Sequence, residues 1–496
     1  MQKIFTALFF MFVSTFSFAS DATPRSIDQI IADAVEPTAN AISKVVFANI
    51  PGTDIIWIVA WLGIASVVCT FYFGFIQIRE FKLATQILRG KFSDKAHPGE
   101  VSHFQALSAA LSGTLGLGNI AGVAIAIALG GPGAAFWMVM MGFFGMATKF
   151  TECTLGVKYR HIDAQGNVSG GPMYYLKAGL TERGFPRFGK IMGVVAAIIL
   201  AVSAFGIGNL FQVNQATSQI MHQFKMESGA VWLGLFFGVA CGIVIIGGIK
   251  SIAKVASFLV PLMVFVYMGA AFIILAKHFS AIPGAFALII SSAFTPDAAF
   301  GGFIGALMQG LKRASFSNEA GFGSAPIAHA AVKTKEPATE GLVALLEPFF
   351  DTVILNTITA LVVVVTGSYL LKEYSGVLIT THAFNSVLPG FDIVLTISIV
   401  LFAFTTMLTW SYYGLKGWQY LFGNRGATAY KFVFCAVSIL AATMSLGSVI
   451  DLADALVFVL AFFNVLGLYF LLPIVKKEVN GFLAKVKSGE IKPNAD

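Results

Sequence analysis

An all-α protein that crosses a lipid bilayer many times is the fold class this sequence predicts. Of its 496 residues, 57% are hydrophobic and only 11% are charged, against about 25% charged in an average soluble domain. The apolar residues gather in runs of about 20 or more, enough at 1.5 Å per residue to span a hydrocarbon layer about 30 Å thick. Two of those runs are interrupted by glycines and polar residues at corresponding places in two halves of the chain. So few charges cannot coat a water-soluble surface. The polar stretches at 159–190 and 78–102 are too short to build a separate soluble domain.

The elements follow in order. Residues 1–19 carry Lys3, a Phe-rich apolar stretch and the small residues Ser17 and Ala19, the pattern of a signal peptide; a retained anchor is the alternative. Residues 20–50 would then be a periplasmic segment, 54–475 the membrane domain and 476–496 a cytoplasmic tail. Turn and charge signals divide the membrane domain into roughly eleven spans. These are 54–77, 103–130, 133–157, 191–222, 230–247, 252–277, 299–330, 340–369, 391–421, 428–447 and 455–475. The net charge of +7 reads as topology rather than as affinity for an anionic partner. Arg79, Lys82, Arg89, Lys91, Lys95, the 158–190 loop, Lys250, Lys254, Lys333, Lys335, Lys416, Arg425, Lys431 and the 476–492 tail all fall on one side. Only Arg25, Lys44, Lys225, Lys277 and Lys372 fall on the other, so the mature N-terminus is expected outside and the C-terminus in the cytoplasm of an inner (plasma) membrane protein. The four cysteines are scattered through apolar runs, and neither a disulfide nor a metal site is expected.

The second span contains Ser112-Gly113-Thr114-Leu115-Gly116-Leu117-Gly118-Asn119. Each interior glycine costs a helix about 1 kcal/mol relative to alanine. Opened backbone at membrane depth is tolerated where it lines a cavity or is buried in protein. Freed amides there can hold a carboxylate, and freed carbonyls a cation. Close helix packing through small residues is the alternative. Five spans later Arg313 to Pro326 is interrupted in the same way. An odd offset reverses the direction of entry, so the second to sixth and the seventh to eleventh spans form a 5+5 inverted repeat with one extra N-terminal helix. The repeat rests on spacing; the halves show no residue-level similarity.

Gly116-Leu117-Gly118-Asn119-Ile120-Ala121-Gly122-Val123-Ala124, Gly130-Gly131-Pro132-Gly133-Ala134, Phe316-Ser317-Asn318-Glu319-Ala320-Gly321 with Gly323-Ser324-Ala325-Pro326, and Trp410-Ser411-Tyr412-Tyr413-Gly414 together resemble the alanine or glycine:cation symporter family, in order and at family spacing from about Phe104 to Gly467. The resemblance implies a leucine-transporter-like fold and sodium-coupled symport of alanine, glycine or a similar small neutral amino acid. It places the substrate carboxylate at the Leu117 and Gly118 amides, with Asn209, Gln212, Phe316, Asn318 and Trp410 completing the pocket. Many members of that family have Thr where this chain has Leu117, a departure that removes a hydroxyl. Helix-to-helix hydrogen bonding is the alternative for Asn209 and Gln212, and ordinary packing for the two aromatics.

For the cation, the Thr405 and Thr406 hydroxyls with backbone oxygens near Ser112 and Leu115 make a neutral, hard-donor cage suited to sodium. By resemblance this is the main sodium site, and Thr114 and Asn119 are candidates for a second. Back-bonding of each Thr to its own helix is the alternative. Intramembrane charges are few: Glu152, Lys312, Arg313, Glu319, Glu347 and Asp351, with salt bridging and function both open for each. No catalytic grouping, nucleotide-binding loop or nucleic-acid signature is present in the sequence, so no enzyme activity, cofactor or use of ATP is expected. Two rivals stay open. A proton-coupled carrier would share the fold, and a channel would need a continuous pore.

Overall fold

The computed structural model describes residues 41–92, 97–164, 166–295 and 302–494. The expected signal peptide, Arg25, Lys95, residues 299–301 and the last two residues of the tail lie outside the described residues. The helices that position the site are α1 (Trp57–Tyr72), a broken α2 (α2a, His103–Thr114; α2b, Gly118–Gly130), α3 (Gly133–Lys158), α4 (Pro186–Gln223), α5 (Ala230–Ile245) and α6 (Gly248–Lys277). They continue as a broken α7 (α7a, Gly302–Asn318; α7b, Ala325–His329), α8 (Pro337–Val365), α9 (Asp392–Phe422), α10 (Ala427–Thr443) and α11 (Leu446–Ser488). Among the described residues six helices are long and apolar enough to cross a membrane, and the bent α2 pair makes a seventh. Four shorter apolar helices accompany them: α1, α5, α10 and Phe279–Ser292, the last of which lies between the expected spans.

Local sequence sets the ends. Ser102 and Gln105 form a capping box at the start of α2a, each satisfying an amide that the first turn leaves free. Proline occupies the first turn of α4 and α8, where its missing N–H removes no helix bond. The α11 helix runs 43 residues, longer than a span needs. Beyond the expected membrane boundary it reaches back to the loops, with Lys158 on Glu478 at 2.8 Å and Lys485 on Glu336 at 2.7 Å. A small antiparallel pair, β1 (His161–Ile162) and β2 (Val168–Ser169), follows α3.

Packing brings the two broken helices to the centre. The α2b half lies on α7a, α2a on α6 and α9, and α3 on α1, α7a and α8. Three stretches open from α-helical to π-helical winding: Gly118–Gly122, Gly206–Leu210 and Phe349–Asn356. Such stretches concentrate at functional sites because they widen the turn and free a backbone group. Each of these three carries buried polar side chains of the candidate site.

Candidate functional site

The first break begins where Leu115 leaves the helix (φ −72°, ψ 76°), and the two halves of α2 meet at 54°. Side chains replace the lost helix bonds. The Gly116 amide donates to Asn119 Oδ1 at 3.1 Å, and the Leu117 amide donates to Gln212 Oε1 of α4 at 3.1 Å. Gln212 is held in turn by its Nε2, which donates to the Ile207 carbonyl in the π-helical turn of α4 at 3.1 Å. Glycine at 116 is a steric requirement, since a Cβ there would lie 2.5 Å from Thr406 Oγ1 and 3.1 Å from Gln212 Oε1. A Cβ on Gly118 would meet Ser317 Cα at 3.4 Å and the Phe316 ring at 3.6 Å, so the opened backbone of α2 faces the end of α7a directly.

Opposite the break, α9 presents hydroxyls. Thr406 and Thr409 lie three residues apart on the face toward α2, while Thr405 is turned about 100° away. The Thr406 hydroxyl donates to the Phe402 carbonyl at 3.0 Å while standing against Gly116. Thr409 shares a short hydrogen bond with Ser112 and donates to the Ala109 carbonyl at 3.2 Å. Thr405 looks toward α6, with its hydroxyl on the Phe402 carbonyl at 3.2 Å and 3.8 Å from Met263 Sδ. Thr114 back-bonds to the Leu111 carbonyl at 3.4 Å. The hydroxyls that meet α2 are therefore Thr406, from the expected pair, and Thr409, which sequence reasoning missed.

Asn119 leads to a second oxygen cluster. Its Nδ2 lies 2.5 Å from Asp351 Oδ1, 3.0 Å from Ser317 Oγ, 2.9 Å from Asn356 Oδ1 and 3.3 Å from the Asp351 carbonyl. Ser317 and Thr352 both donate to Asp351 Oδ2, at 2.9 and 2.5 Å. All of these residues are buried. Two amide hydrogens of Asn119 cannot serve four oxygens, and no Lys, Arg or His among the described residues pairs with Asp351. Asn356 Nδ2 donates to Ser317 Oγ at 3.1 Å, so the polar atoms of the cluster are hydrogen-bonded, and what it lacks among the described residues is a cationic partner for its carboxylate. Its oxygens are the donor set of a cation cage. Asp351 stood in the short list of intramembrane charges; Ser317 and Asn356 had no such signal.

The second break is built on carboxylates. Glu319 itself takes a left-handed conformation (φ 56°), as do Gly321 and Gly323 (φ 92° and 75°). The amides of Gly321 and Gly323 donate to Glu152 of α3 at 3.3 and 2.8 Å. Asn464 of α11 joins the same carboxylate at 2.5 Å and accepts from the Tyr175 hydroxyl at 2.5 Å. The Glu319 carboxylate accepts from Ser324 and, at 2.8 Å, from Trp410 Nε1.

The remaining expected pocket residues separate into two groups. Phe316 packs edge-on against Phe211 at 5.1 Å and stands beside Gly118. Trp410 is fully buried, edge-on to Tyr413 at 5.5 Å, and presses on Gly208 so closely that no Cβ fits there. Asn209, by contrast, points to α10, donating to the Phe434 carbonyl at 2.6 Å and to Ser438 at 3.2 Å. Asn318 Oδ1 accepts from the Ala320 amide at 2.9 Å within the second break. Beyond Phe316, Lys312 at 3.0 Å and Arg313 both pair with Asp454 of α11, and the Arg313 guanidinium lies over the Phe316 ring.

Against known proteins, residues 39–496 match the sodium:alanine symporter family. The sodium/alanine symporter AgcS of Methanococcus maripaludis is 43% identical over 417 residues, 83% of this chain and 91% of that protein. An uncharacterized transporter of Haemophilus influenzae is 39% identical over 426 residues, 84% of this chain and 91% of its own. Among solved structures, MhsT in complex with L-phenylalanine superposes with a TM-score of 0.54 at 17% identity, covering 79% of this chain and all of that one. The leucine-transporter-like architecture that the family resemblance implied is the one this comparison shows.

Proposed function

Because the chain belongs to the sodium:alanine symporter family, we propose that it moves a small neutral amino acid together with sodium across the membrane by alternating access, using the first helix break as its binding place. The substrate carboxylate docks on the Leu117 and Gly118 amides, where the start of α2b adds favourable charge for an anion. Gln212 Oε1, which accepts from Leu117 at 3.1 Å, holds that amide until the carboxylate takes it. Phe316 closes one side of the pocket, Trp410 stands behind it, and the limited volume favours alanine or glycine over larger side chains. Asn209 and Asn318 complete the wall, each with one polar atom bonded within the protein and one, Asn209 Oδ1 and Asn318 Nδ2, buried without a protein partner.

Two oxygen sets serve sodium. The first lies between the break and α9, with the oxygens of Ser112, Leu115, Thr406 and Thr409, and with Thr405 supporting from the same turn. The second is the Asn119, Ser317, Asp351 and Asn356 cluster, with Thr114 on the preceding turn. The observation that carries the coupling is the buried Asp351 carboxylate, which accepts from Asn119, Ser317 and Thr352 and pairs with no cationic side chain among the described residues. An ionised carboxylate in that setting requires a cation. Sodium supplies the charge and takes the carboxylate, hydroxyl and amide oxygens of the cluster as ligands. Binding there also joins α2, α7a and α8, which links ion occupancy to closure around substrate. The distribution of basic residues supports a C-terminal tail in the cytoplasm and an N-terminal segment outside, in the inner membrane.

A proton on Asp351 would neutralise the same site, so the two cations must be separated by experiment. In proteoliposomes at equal pH on both sides, uptake of labelled alanine should rise several-fold with an inward sodium gradient and stay low with potassium. Uptake that ignores sodium and follows an imposed pH gradient would overturn the assignment.

A further inference from the structure

A second set of buried charges lies toward the Arg160 end of the molecule, apart from both oxygen cages. His103, the first residue of α2a, is buried although its neighbour Ser102 is exposed. Its Nδ1 makes a short contact with Glu340 Oε2 on α8. The other oxygen of Glu340 meets His329 Nδ1 of α7b at 2.6 Å. The far nitrogen of that ring, Nε2, faces Glu347 Oε2 at 3.6 Å, two helical turns further along α8. Glu347 Oε1 accepts from Lys149 Nζ of α3 at 3.0 Å. All five side chains are at most 2% exposed.

Proton counting constrains this chain. An ionised carboxylate can only accept, so Glu340 requires a hydrogen on the Nδ1 of both histidines. A neutral His329 would then turn the lone pair of Nε2 toward the lone pairs of Glu347, and neither of those two atoms has another hydrogen-bond partner. One more proton, on Nε2, converts that repulsion into an ion pair. It also closes the charge balance: Lys149 and His329 carry two positive charges against the two negative charges of Glu340 and Glu347. Without it, these four fully buried groups would carry a net negative charge among themselves, which low-dielectric surroundings oppose. The other groups facing the chain do not remove the need. Cys153 and Glu152 of α3, Glu319 of the second break, Asp351 one turn further along α8 and Tyr413 of α9 are neutral or acidic, and the Arg160 guanidinium, whose charge faces Glu340, donates to the carbonyls of Pro98, Ala330, Val332 and Thr334 and leaves the contact between His329 Nε2 and Glu347 unsatisfied.

We propose that this protein has a dedicated proton-binding site, with the proton resident on His329 as an imidazolium bridging Glu340 and Glu347. The bound proton ties the inner halves of both broken helices, α2a and α7b, to α3 and α8, so that these four move as one body. None of its residues is a proposed substrate or sodium ligand, although Glu347 lies one helical turn before Asp351 on α8.

The test needs neither substrate nor sodium. Protein labelled with 15N-histidine is studied by NMR in detergent near pH 8.5, about two units above the usual histidine range. One of the seven histidines should remain an imidazolium with both ring nitrogens protonated, and its signals should vanish in His329→Gln. In Glu347→Gln, which keeps the ring and serves where His329→Gln does not fold, the imidazolium should be lost or titrate at clearly lower pH. Seven neutral histidines in the unmodified protein would overturn the proposal. So would an imidazolium that survives in His329→Gln, or one unchanged in Glu347→Gln.

Discussion

The two helix breaks look alike in the sequence and differ in their chemistry. At the first, every partner of the opened backbone is neutral: Gln212 on the Leu117 amide, Asn119 on the Gly116 amide, and Thr406 against Gly116. At the second, the opened amides of Gly321 and Gly323 already hold a carboxylate, that of Glu152, and Glu319 binds Ser324 and Trp410. A neutral amide oxygen is a weaker acceptor than a carboxylate, so the first break yields its amide to an incoming carboxylate more readily. The second break is filled by the protein's own acid. Of two equivalent-looking anion sites, the proposed substrate site is held by a neutral amide oxygen and the other is filled by Glu152.

That contrast can be broken most severely at the second break. Glu152→Ala leaves two amides and Asn464 without their acceptor, and at about 1–3 kcal/mol for each buried unsatisfied group it should lower thermal stability in detergent by many degrees. Unchanged melting would remove the structural role. Asp351→Asn comes next, because it keeps the shape but takes away the charge. The sodium concentration for half-maximal uptake should rise at least tenfold, which corresponds to about 1.4 kcal/mol, with a much smaller change in stability than Glu152→Ala. An unaltered sodium requirement would move the cation elsewhere. Trp410→Ala should weaken alanine affinity by about 1–3 kcal/mol, the scale of lost pocket contacts, and should penalise bulkier neutral amino acids less. Trp410→Phe separates the ring from the Glu319 bond. Competition by a panel of neutral amino acids reads both. The smallest effect is expected for Leu117→Thr, which restores a hydroxyl at the first break with little change in volume. Preference between serine and alanine should shift by about 1 kcal/mol or less, with stability unaffected.

Much of this contrast was legible in the residues, and some was not. The Gly-rich strings revealed both breaks, because glycine in the middle of an apolar span has a backbone consequence wherever it falls. Phe316 stands beside Gly118 across the first break. What a string cannot carry is which way a polar side chain turns. Thr405 and Thr406 are neighbours in the chain, yet helical rotation sends one to α6 and the other to α2, and only their spacing from Thr409 hints at the face. Asn209 and Gln212, three apart, likewise diverge, because the π-helical turn at Gly206–Leu210 displaces Asn209 toward α10. Asp351 was visible as a rare intramembrane acid, but its partners come from other helices as well as its own: Asn119 of α2 is 232 residues away and Ser317 of α7a is 34. The carboxylate on the second break was equally hidden, since Glu152 belongs to a different helix. Charge against amide is a tertiary property.

The most direct measurement is an experimental structure determined with sodium and alanine bound. The carboxylate of alanine should lie within hydrogen-bonding distance of the Leu117 and Gly118 amides, with the Gln212 oxygen displaced from Leu117 and Glu152 still seated on Gly321 and Gly323. Alanine found on the Gly321 and Gly323 amides with Glu152 moved aside, or bound away from both breaks with Gln212 still on Leu117, would contradict the account.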